Sequence, residues 1–409
     1  MRRFFLVCVA TLIIQGIEAQ EFFTLMNYNV LNFPQGEMQN RQDTLQNIIN
    51  FIEPDLILLQ ELKSESGLIS IAEESCSDLD GNYVAAEWVS QQSNPNSSWP
   101  LQQSLVYNSE KFTLHTEGYV TTNIRDINEY VLYFNSNELL NEQDTAFLYV
   151  YVAHLKSSQG EENEALRLGM TEDFTAYLET LPSDAQIILG GDFNIYNSDE
   201  PAYQELLNND NNIILKDPID MPGNWHSSSF PDKTILTQST RTSQIFGDGS
   251  GGGLDDRFDF MLTSENLLNN SGRYRYVENS YFSLGNNGTC YNQSLLNCLP
   301  STTVPESVMR SLYYMSDHLP VIMQIQLDQT LALSEESRAV FLRSNVVQDE
   351  LKFNQFINEK VEVYTLTGQK VLESDMDGKK LDVSFLGTGM YILKMEQGQG
   401  IKFVKEDGF

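Results

Sequence analysis

The chain has 409 residues, of which 41% are hydrophobic, so it can bury a large core and is long enough for more than one domain. It carries 57 acidic and 25 basic residues, a formal net charge of −32. This charge argues against a protein that holds nucleic acid tightly through a basic surface, but not against an enzyme that meets a phosphodiester through a bound divalent cation.

Residues 1–19 have the three parts of a signal peptide. Two arginines precede an apolar run from Phe4 to Ile14, and Ala19 stands before the expected cleavage point. The run is too short to span a bilayer, and no later segment is apolar enough to do so. We therefore expect an exported mature chain that begins at residue 20, without a transmembrane segment.

From residue 22 to residue 327, apolar runs that predict buried strands alternate with amphipathic stretches that predict helices. Helices are predicted at 41–52 and 162–181, each followed by a proline. Strands, several of which end on a polar side chain, are predicted at 22–30, 55–61, 105–107, 118–120, 147–153, 187–189, 257–262, 313–316 and 320–325. Because helices do not separate all the strands, we expect a mixed α/β core with helices outside packed sheets.

After Leu327 the pattern changes to that of a separate domain. Residues 328–338 are typical of a linker, and residues 339–409 consist of short strands and turns. Their spacing predicts a small β-sandwich, and it contains no acid–histidine cluster.

Three cysteines follow the signal peptide. Cys290 and Cys298 flank a polar loop and could form a local disulfide in an oxidising compartment. Cys76 would then be a buried free thiol, although its pairing with either of the others stays open.

The segment from Ile187 to Asn194 combines a strand with a polar end. Three apolar residues are followed by two glycines, which allow a sharp turn, and then by Asp192 and Asn194. Residues two apart in an extended chain share a face, so these two polar side chains would point in the same direction, and the side chain of Phe193 would point into the core. An acid can hold a cation or take a proton from water, and an amide can hold an oxyanion, which suits attack on a phosphoryl centre. Taken alone, the segment fits a polar turn equally well.

Further polar residues stand at or beside the ends of the other predicted strands, where α/β folds assemble their sites. Glu61 and Asp317, with the amide oxygen of Asn29, are hard oxygen ligands of the kind that Mg²⁺ takes. Lys63 and Arg167 are expected on solvated surfaces, from which Lys63 could touch a phosphate.

Two histidines and one further acid supply possible proton chemistry. Asp259 lies between two phenylalanines, where a buried acid needs a partner, and it could hold His318 in one tautomer. His318 could then deprotonate water or stabilise the phosphorane, and His154 could donate a proton to the leaving oxygen.

Six motifs, in chain order, closely resemble those of the endonuclease/exonuclease/phosphatase superfamily, over about residues 22–327. They are Asn-Tyr-Asn29-Val, Leu-Gln-Glu61, Ala-His154-Leu, Gly-Asp192-Phe-Asn194, Arg-Phe-Asp259-Phe-Met and Ser-Asp317-His318-Leu-Pro. The resemblance implies a four-layer α/β sandwich, meaning two packed mixed sheets flanked by helices. It also implies hydrolysis of a phosphoester by water, without a covalent intermediate and with Mg²⁺, for which Mn²⁺ or Ca²⁺ could substitute.

The same resemblance assigns roles to the individual positions. Asn29 and Glu61 match metal-site positions, and Asp317 matches a second metal-side acid. Asp192 matches the acid that orients water, and Asn194 matches a phosphate contact. The pair formed by Asp259 and His318 matches the family's dyad, which acts either as a general base or as a clamp on the transition state. His154 places the chain among the members that have a histidine at this position.

The C-terminal part resembles the sorting domain of proteins exported by type IX (Por) secretion. The segments 361–371 and 386–394 carry the pattern, although the Asn-Pro pair that usually opens the domain is replaced by Asn345-Val346. The resemblance implies contact with the type IX machinery and delivery to the cell surface or the medium, where the tail is often removed.

We expect the chain to be a nuclease that cuts DNA or RNA and acts as a monomer. The segments around His154 and from Asp192 to Tyr203 resemble secreted bacterial nuclease-like members. The acidic charge leaves open the alternative that the chain is a sphingomyelinase-like lipid phosphodiesterase, although no membrane-contacting apolar hairpin is evident in the sequence. A catalytically inactive surface binding protein would show gaps in the set of motifs, and none is visible.

Overall fold

The computed structural model describes residues 21–35, 40–97, 101–135, 145–245, 247–300, 304–327, 346–357, 360–365, 368–376, 378–395 and 400–405. The chain divides into two compact units, Met1–Ala332 and Leu333–Phe409. The predicted signal peptide at 1–19 and the predicted linker at 328–338 lie outside the described residues.

The first unit is built on two mixed sheets. Its strands are β1 Glu21–Phe33, β2 Leu56–Leu62, β3 Tyr83–Ala85, β4 Gln102–Asn108, β5 Phe112–Val120, β6 Ile127–Phe134, β7 Phe147–His154, β8 Gln186–Asp192, β9 Leu215–Lys216, β10 Asp259–Ser264, β11 Tyr274–Tyr276, β12 Phe282–Ser283 and β13 Val321–Leu327. One sheet has the order β11-β13-β1-β2-β4-β3 with β12 beside β13, and the other has the order β5-β6-β7-β8-β10-β9.

Six α-helices accompany these strands in the described part of the first unit. They are α1 Arg41–Ile52, α2 Glu65–Ser70, α3 Glu161–Leu178, α4 Pro201–Leu206, α5 Glu265–Leu268 and α6 Glu306–Met315. The predicted helices at 41–52 and 162–181 correspond to α1 and α3. The predicted strand at 313–316 is wrong, because its first three residues close α6, whose buried residues Val308, Met309, Leu312 and Met315 recur at helical spacing.

The sheets pack face to face, with helices on their outer faces. Along β8, Ile188 joins an apolar cluster that also contains Leu58 of the other sheet. The alternate residue Ile187 joins a cluster that contains Phe174 of α3, whose ring lies 5.0 Å from that of Tyr151. Alternate residues thus fill two different cores, and the predicted four-layer α/β sandwich is confirmed.

The glycines before Asp192 serve the packing of the sheets rather than a turn. Gly190 and Gly191 both lie within β8, so the predicted sharp turn is wrong. A Cβ atom on Gly190 would lie 2.5 Å from Cδ2 of Leu58 in the other sheet. Asn27 of that sheet donates from Nδ2 to the carbonyl oxygen of Gly191 at 3.2 Å. The two glycines therefore let the sheets approach closely beside the polar end of β8.

One edge of the molecule collects the strand ends that carry polar residues. β7 and β8 are parallel, and their last residues, His154 and Asp192, are paired neighbours. β10 runs antiparallel and begins beside them, with Asp259 opposite Asp192. In the facing sheet, Glu61 lies near the end of β2, and His318 precedes the start of β13.

Arg167 departs from the predicted solvated position. It is completely buried on α3, where its guanidinium forms an ion pair with the equally buried Glu200. A buried charge requires such a partner, and a separation of 33 positions along the chain hid the pair in the sequence.

The second unit is a small β structure. Its strands are β14 Val346–Val347, β15 Glu350–Ile357, β16 Lys360–Thr365, β17 Lys370–Asp375, β18 Gly378–Asp382, β19 Gly389–Met395 and β20 Gly400–Lys405. They form a five-stranded sheet in the order β14-β20-β19-β16-β17 and a two-stranded sheet of β15 and β18, around one apolar cluster. The predicted small β-sandwich is confirmed.

Cys290 and Cys298 form a disulfide, and Cys76 is a buried free thiol. This settles the pairing that the sequence left open. Within the described part of the chain, no helix combines the length and the apolar character that crossing a membrane requires.

Candidate functional site

A buried histidine–carboxylate pair lies at the start of β10. Nδ1 of His318 is 2.8 Å from Oδ2 of Asp259, which is completely buried. Ser316 positions the histidine, because its hydroxyl accepts from the backbone N–H of His318 and donates to the carbonyl oxygen of Asn29 at 2.7 Å. Burial alone would lower the pKa of His318, but Asp259 and Asp192 raise this pKa well above its usual value. The two carboxylates therefore favour the charged form of the imidazole.

Asn29 connects the two sheets through its side-chain amide. Its Nδ2 donates to Oε1 of Glu61 at 3.1 Å and to Oδ2 of Asp192 at 3.0 Å. Its oxygen accepts from the backbone N–H of Leu31 at 3.0 Å. The amide oxygen, expected from the sequence to face a metal, thus accepts a hydrogen bond within β1, while the amide nitrogen orients two carboxylates.

Glu61, His154 and Asp192 bring possible metal-ligating atoms to within 4.8 Å of one another. Burial raises the pKa of Glu61, and the nearby Asp317 raises it further. Burial also raises the pKa of Asp192 to about 7. In the described part of the chain, no lysine or arginine forms an ion pair with Glu61, Asp192 or Asp317, so their charges favour a bound cation.

Asp317 completes the acidic group. Its Oδ2 accepts from the backbone N–H of Ser250, in the glycine-rich segment 247–253, at 2.6 Å and from Nε2 of Gln238 at 3.3 Å. Its Oδ1 is buried and has no hydrogen-bond partner within the described residues. A buried carboxylate oxygen without a donor fits a hard divalent cation, so the residues present suit the Mg²⁺ that the sequence implies.

His154 is buried beside the acids as a neutral imidazole. Its Nε2 lies 3.5 Å from Oδ2 of Asp192, and its Nδ1 is buried without a partner among the described residues. Burial and the neighbouring Arg125 lower the pKa of His154 well below its usual value. A neutral imidazole can donate a hydrogen bond, but it is a poor source of a whole proton for a leaving group.

Asn194 also lies in this group. Its backbone N–H donates to Oδ1 of Asp192 at 3.1 Å, and its Nδ2 donates to the carbonyl oxygen of Leu155. Lys63, in contrast, is partly exposed after β2, and burial lowers its pKa. The structure therefore brings eight predicted residues together and leaves Lys63 at the margin.

The backbone at this edge is strained at two of these positions. Glu61 has φ 61° and Asn194 has φ 54°, in the left-handed region that non-glycine residues rarely adopt. Such conformations cost of order 1–3 kcal/mol and collect at functional sites. Glu61 lies in β2 and Asn194 two residues after β8, and both belong to the same cluster.

Sequence reasoning missed two neighbours of the cluster. The side-chain amide nitrogen of Gln238 lies 2.6 Å from Nε2 of His318. Arg125 donates from Nη1 to the carbonyl oxygens of His154 and Leu155, and its charge acts on Glu61 and Asp192. Neither residue stands in a strand-end motif, so no local pattern pointed to either.

The C-terminal part has a family match. Residues 344–406 match the family described as the secretion system C-terminal sorting domain. The predicted type IX sorting domain is confirmed, and with it delivery to the cell surface or the extracellular space. No curated relative matches this chain in sequence.

Several solved structures are similar to this chain at low identity. D. rerio TDP2 complexed with a single-stranded DNA product is 13% identical, with a TM-score of 0.47, covering 74% of this chain and 98% of that one. The human Nocturnin catalytic domain with a bound sulfate anion is 16% identical, with a TM-score of 0.48, covering 76% of this chain and 97% of that one. An endonuclease/exonuclease/phosphatase from Bacteroides vulgatus is 13% identical, with a TM-score of 0.47, covering 75% of this chain and 100% of that one.

Proposed function

We propose that this chain is a secreted, Mg²⁺-dependent phosphodiesterase and that nucleic acid is its substrate. One observation carries the proposal: Glu61, Asp192 and Asp317 collect beside the dyad of Asp259 and His318. Carboxylates that hold a cation, next to an imidazole that can stabilise developing negative charge, are what phosphoryl transfer to water requires. The six ordered motifs supply the same residues, and the sorting domain accounts for export.

The acids provide the cation site and the base. Glu61 and Asp317 would hold Mg²⁺, which would neutralise charge on the phosphoryl oxygens. Asp192 has a pKa near neutrality, the range in which a carboxylate can both bind a water proton and release it. Asn29 donates to Glu61 and Asp192 together, which keeps both carboxylates oriented.

The histidines provide hydrogen bonds to the phosphoryl group. His318, charged through its contact with Asp259, directs Nε2 towards the side of Asp192, at 3.7 Å from Oδ2. From this position it would stabilise the transition state rather than remove a proton. His154 would donate a hydrogen bond from Nε2, and the amide of Asn194 would contact a phosphoryl oxygen after releasing Leu155.

The substrate is tested with a panel of phosphodiesters. The purified full-length chain is incubated with Mg²⁺ and, separately, plasmid DNA, RNA, sphingomyelin vesicles and bis-p-nitrophenyl phosphate. We expect nucleic acid and the small diester to be cleaved, EDTA to abolish cleavage, and His318→Ala to slow it by about 10²-fold or more. His115→Ala is the matched control, since His115 is an exposed histidine beside Tyr133 and Phe147.

Two results would overturn parts of the proposal. Cleavage of sphingomyelin without cleavage of nucleic acid would favour the lipid phosphodiesterase, which the net charge of −32 permits. Cleavage that survives both EDTA and His318→Ala would contradict the mechanism.

A further inference from the structure

Helix α6 ends directly before Ser316 and Asp317, and a buried arginine holds this end of the helix. The last carbonyl groups of a helix have no partner within the helix itself. Arg241, which is only 2% exposed, donates from Nε to the carbonyl oxygen of Tyr313 at 3.0 Å and from Nη2 to that of Tyr314 at 3.1 Å. The guanidinium therefore satisfies two of these groups, and its positive charge is favourable at the negative end of the helix dipole.

The residue before this arginine holds the next part of the same backbone. Thr240 is completely buried, and its hydroxyl donates to the carbonyl oxygen of Ser316 at 2.7 Å. Its backbone N–H donates to the carbonyl oxygen of Asp317 at 2.9 Å. We infer that Thr240 and Arg241 are positioning residues for Asp317, which hold its carboxylate where a cation binds. This inference rests on the proposed function, in which Asp317 helps to hold Mg²⁺.

Arg241 lies near the carboxylate of Asp317 without pairing with it. A Cβ atom built on Gly249 would lie 3.2 Å from Nη1 of Arg241 and also 3.2 Å from Cγ of Asp317, so both groups border the same glycine. In the described part of the chain, no carboxylate forms an ion pair with Arg241. A direct ion pair would compete with a cation for Asp317, whereas contacts to the backbone leave its Oδ1 without a hydrogen-bond partner among the described residues.

The same stretch of chain, residues 237–241, also contacts the segment that carries the dyad acid. Thr237 accepts from the backbone N–H of Asp259 through its hydroxyl at 3.2 Å and from that of Leu319 through its carbonyl oxygen at 2.8 Å. The stretch lies outside the helices and strands, yet it joins the chain around Asp259 to the chain around Asp317. A displacement at Thr240 or Arg241 is therefore expected to reach the cation site directly.

The inference is tested by the affinity for Mg²⁺, measured by calorimetry on the full-length chain. Arg241→Met keeps a long side chain and removes the guanidinium. We expect the affinity to fall by about tenfold or more, as when other groups that orient metal ligands are lost. The Mg²⁺ concentration that gives half-maximal hydrolysis of bis-p-nitrophenyl phosphate should rise by the same factor.

A second buried arginine provides the matched control. Arg167→Met removes a completely buried guanidinium from α3, where it pairs with Glu200. This variant should also lose stability, but its affinity for Mg²⁺ should stay within about twofold of the wild type, since Arg167 makes no contact with Asp317. The comparison separates loss of stability from loss of positioning.

A milder substitution decides the matter if Arg241→Met does not fold. Thr240→Val keeps the side-chain shape and removes one hydrogen bond, so the affinity for Mg²⁺ should fall at least about twofold and up to about tenfold. Thr263→Val is its control, because Thr263 is equally buried and its hydroxyl has no hydrogen-bond partner within the described residues. We expect no change of affinity in this control.

The results distinguish this inference from the proposed function. If the wild type binds Mg²⁺ and hydrolyses the diester, while folded Arg241→Met and Thr240→Val keep the wild-type affinity, the two residues are only structural and the inference is wrong. A wild type that binds no Mg²⁺ would instead contradict the proposed function, and this inference with it. Folding of each variant is checked by circular dichroism.

Discussion

Replacing Asp259 with asparagine tests the dyad with little change of shape. Asp259 is completely buried and lies 2.8 Å from Nδ1 of His318, which is 2% exposed. An asparagine oxygen can still accept the Nδ1 proton, so the substitution removes chiefly the negative charge. The perturbation therefore isolates the electrostatic part of the contact.

The expected loss of rate follows from the nature of this bond. A hydrogen bond to a charged group contributes about 1.5–3 kcal/mol. With roughly 1.4 kcal/mol for each factor of ten in rate, kcat for Asp259→Asn should fall about 10- to 150-fold if the charge acts in the transition state. His318→Ala, which removes the imidazole itself, should lose about 10²- to 10⁴-fold.

The assay is steady-state hydrolysis of bis-p-nitrophenyl phosphate at saturating Mg²⁺. Asp55→Asn is the matched control, because Asp55 is a buried acid before β2 that accepts from the backbone of Thr24 at 2.9 Å and pairs with Lys111. We expect Asp55→Asn to reduce stability and leave kcat unchanged. A kcat for Asp259→Asn within about twofold of the wild type would refute the role of the dyad.

The same substitution should change the pH dependence of stability. The pKa of His318 is raised in the folded protein, so its stabilising contribution is complete below its unfolded value of about 6.5 and is lost as the pH rises through the folded value. Without the charge of Asp259, burial disfavours the charged imidazole. The difference in the free energy of unfolding between wild type and Asp259→Asn, measured with urea without metal, should therefore be largest at acidic pH. A difference that grows with pH would contradict this account.

Three further predictions concern packing, a buried ion pair and the cation. Gly190→Val should destabilise the protein by about 1–3 kcal/mol in urea denaturation, because even its Cβ would lie 2.5 Å from Leu58. Arg167→Met should cost about 3–5 kcal/mol in the same assay, because it leaves Glu200 buried without its partner. The affinity for Mg²⁺, measured by calorimetry, should rise by up to about tenfold per pH unit and should level off above the pKa of Asp192, which is about 7. The reason is that only the charged carboxylate favours the cation.

Each of these has its own control. Gly118→Ala should change stability little, since its Cβ would meet only Oε1 of Glu129, at 3.6 Å. The double change of Arg167→Met with Glu200→Gln should recover part of the loss, and no recovery would speak against the pair. Asp192→Asn should flatten the pH dependence of Mg²⁺ affinity, and an equally steep dependence in this variant would assign the proton to another group.

The strands and their polar ends were predictable because they follow from local pattern. A buried strand that ends on an acid or a histidine can be recognised in the sequence, and parallel neighbours place such ends at one edge. His154 and Asp192 consequently fall side by side at the ends of two parallel strands, and Asp259 opens the antiparallel β10 beside them. The partner of Asp259 was also foreseeable, since an acid between two phenylalanines requires one.

Other features depend on contacts between distant segments, which no local pattern encodes. Gln238 reaches His318 across 80 residues of chain. Gly190 is required by Leu58 of the facing sheet, so the sequence suggested a turn where the structure has close packing. For the same reason Arg167 was expected in solvent, although Glu200 allows it to be buried.

The most direct test of the central claim is the Mg²⁺ dependence of bis-p-nitrophenyl phosphate hydrolysis in the wild type and in Glu61→Gln. If Glu61, held by Asn29 beside Asp192, helps to bind the cation, the wild type will show saturable activation by Mg²⁺. The variant will then need at least about tenfold more Mg²⁺ for half-maximal rate. Hydrolysis that does not depend on Mg²⁺, or the same Mg²⁺ requirement in both proteins, would contradict the claim.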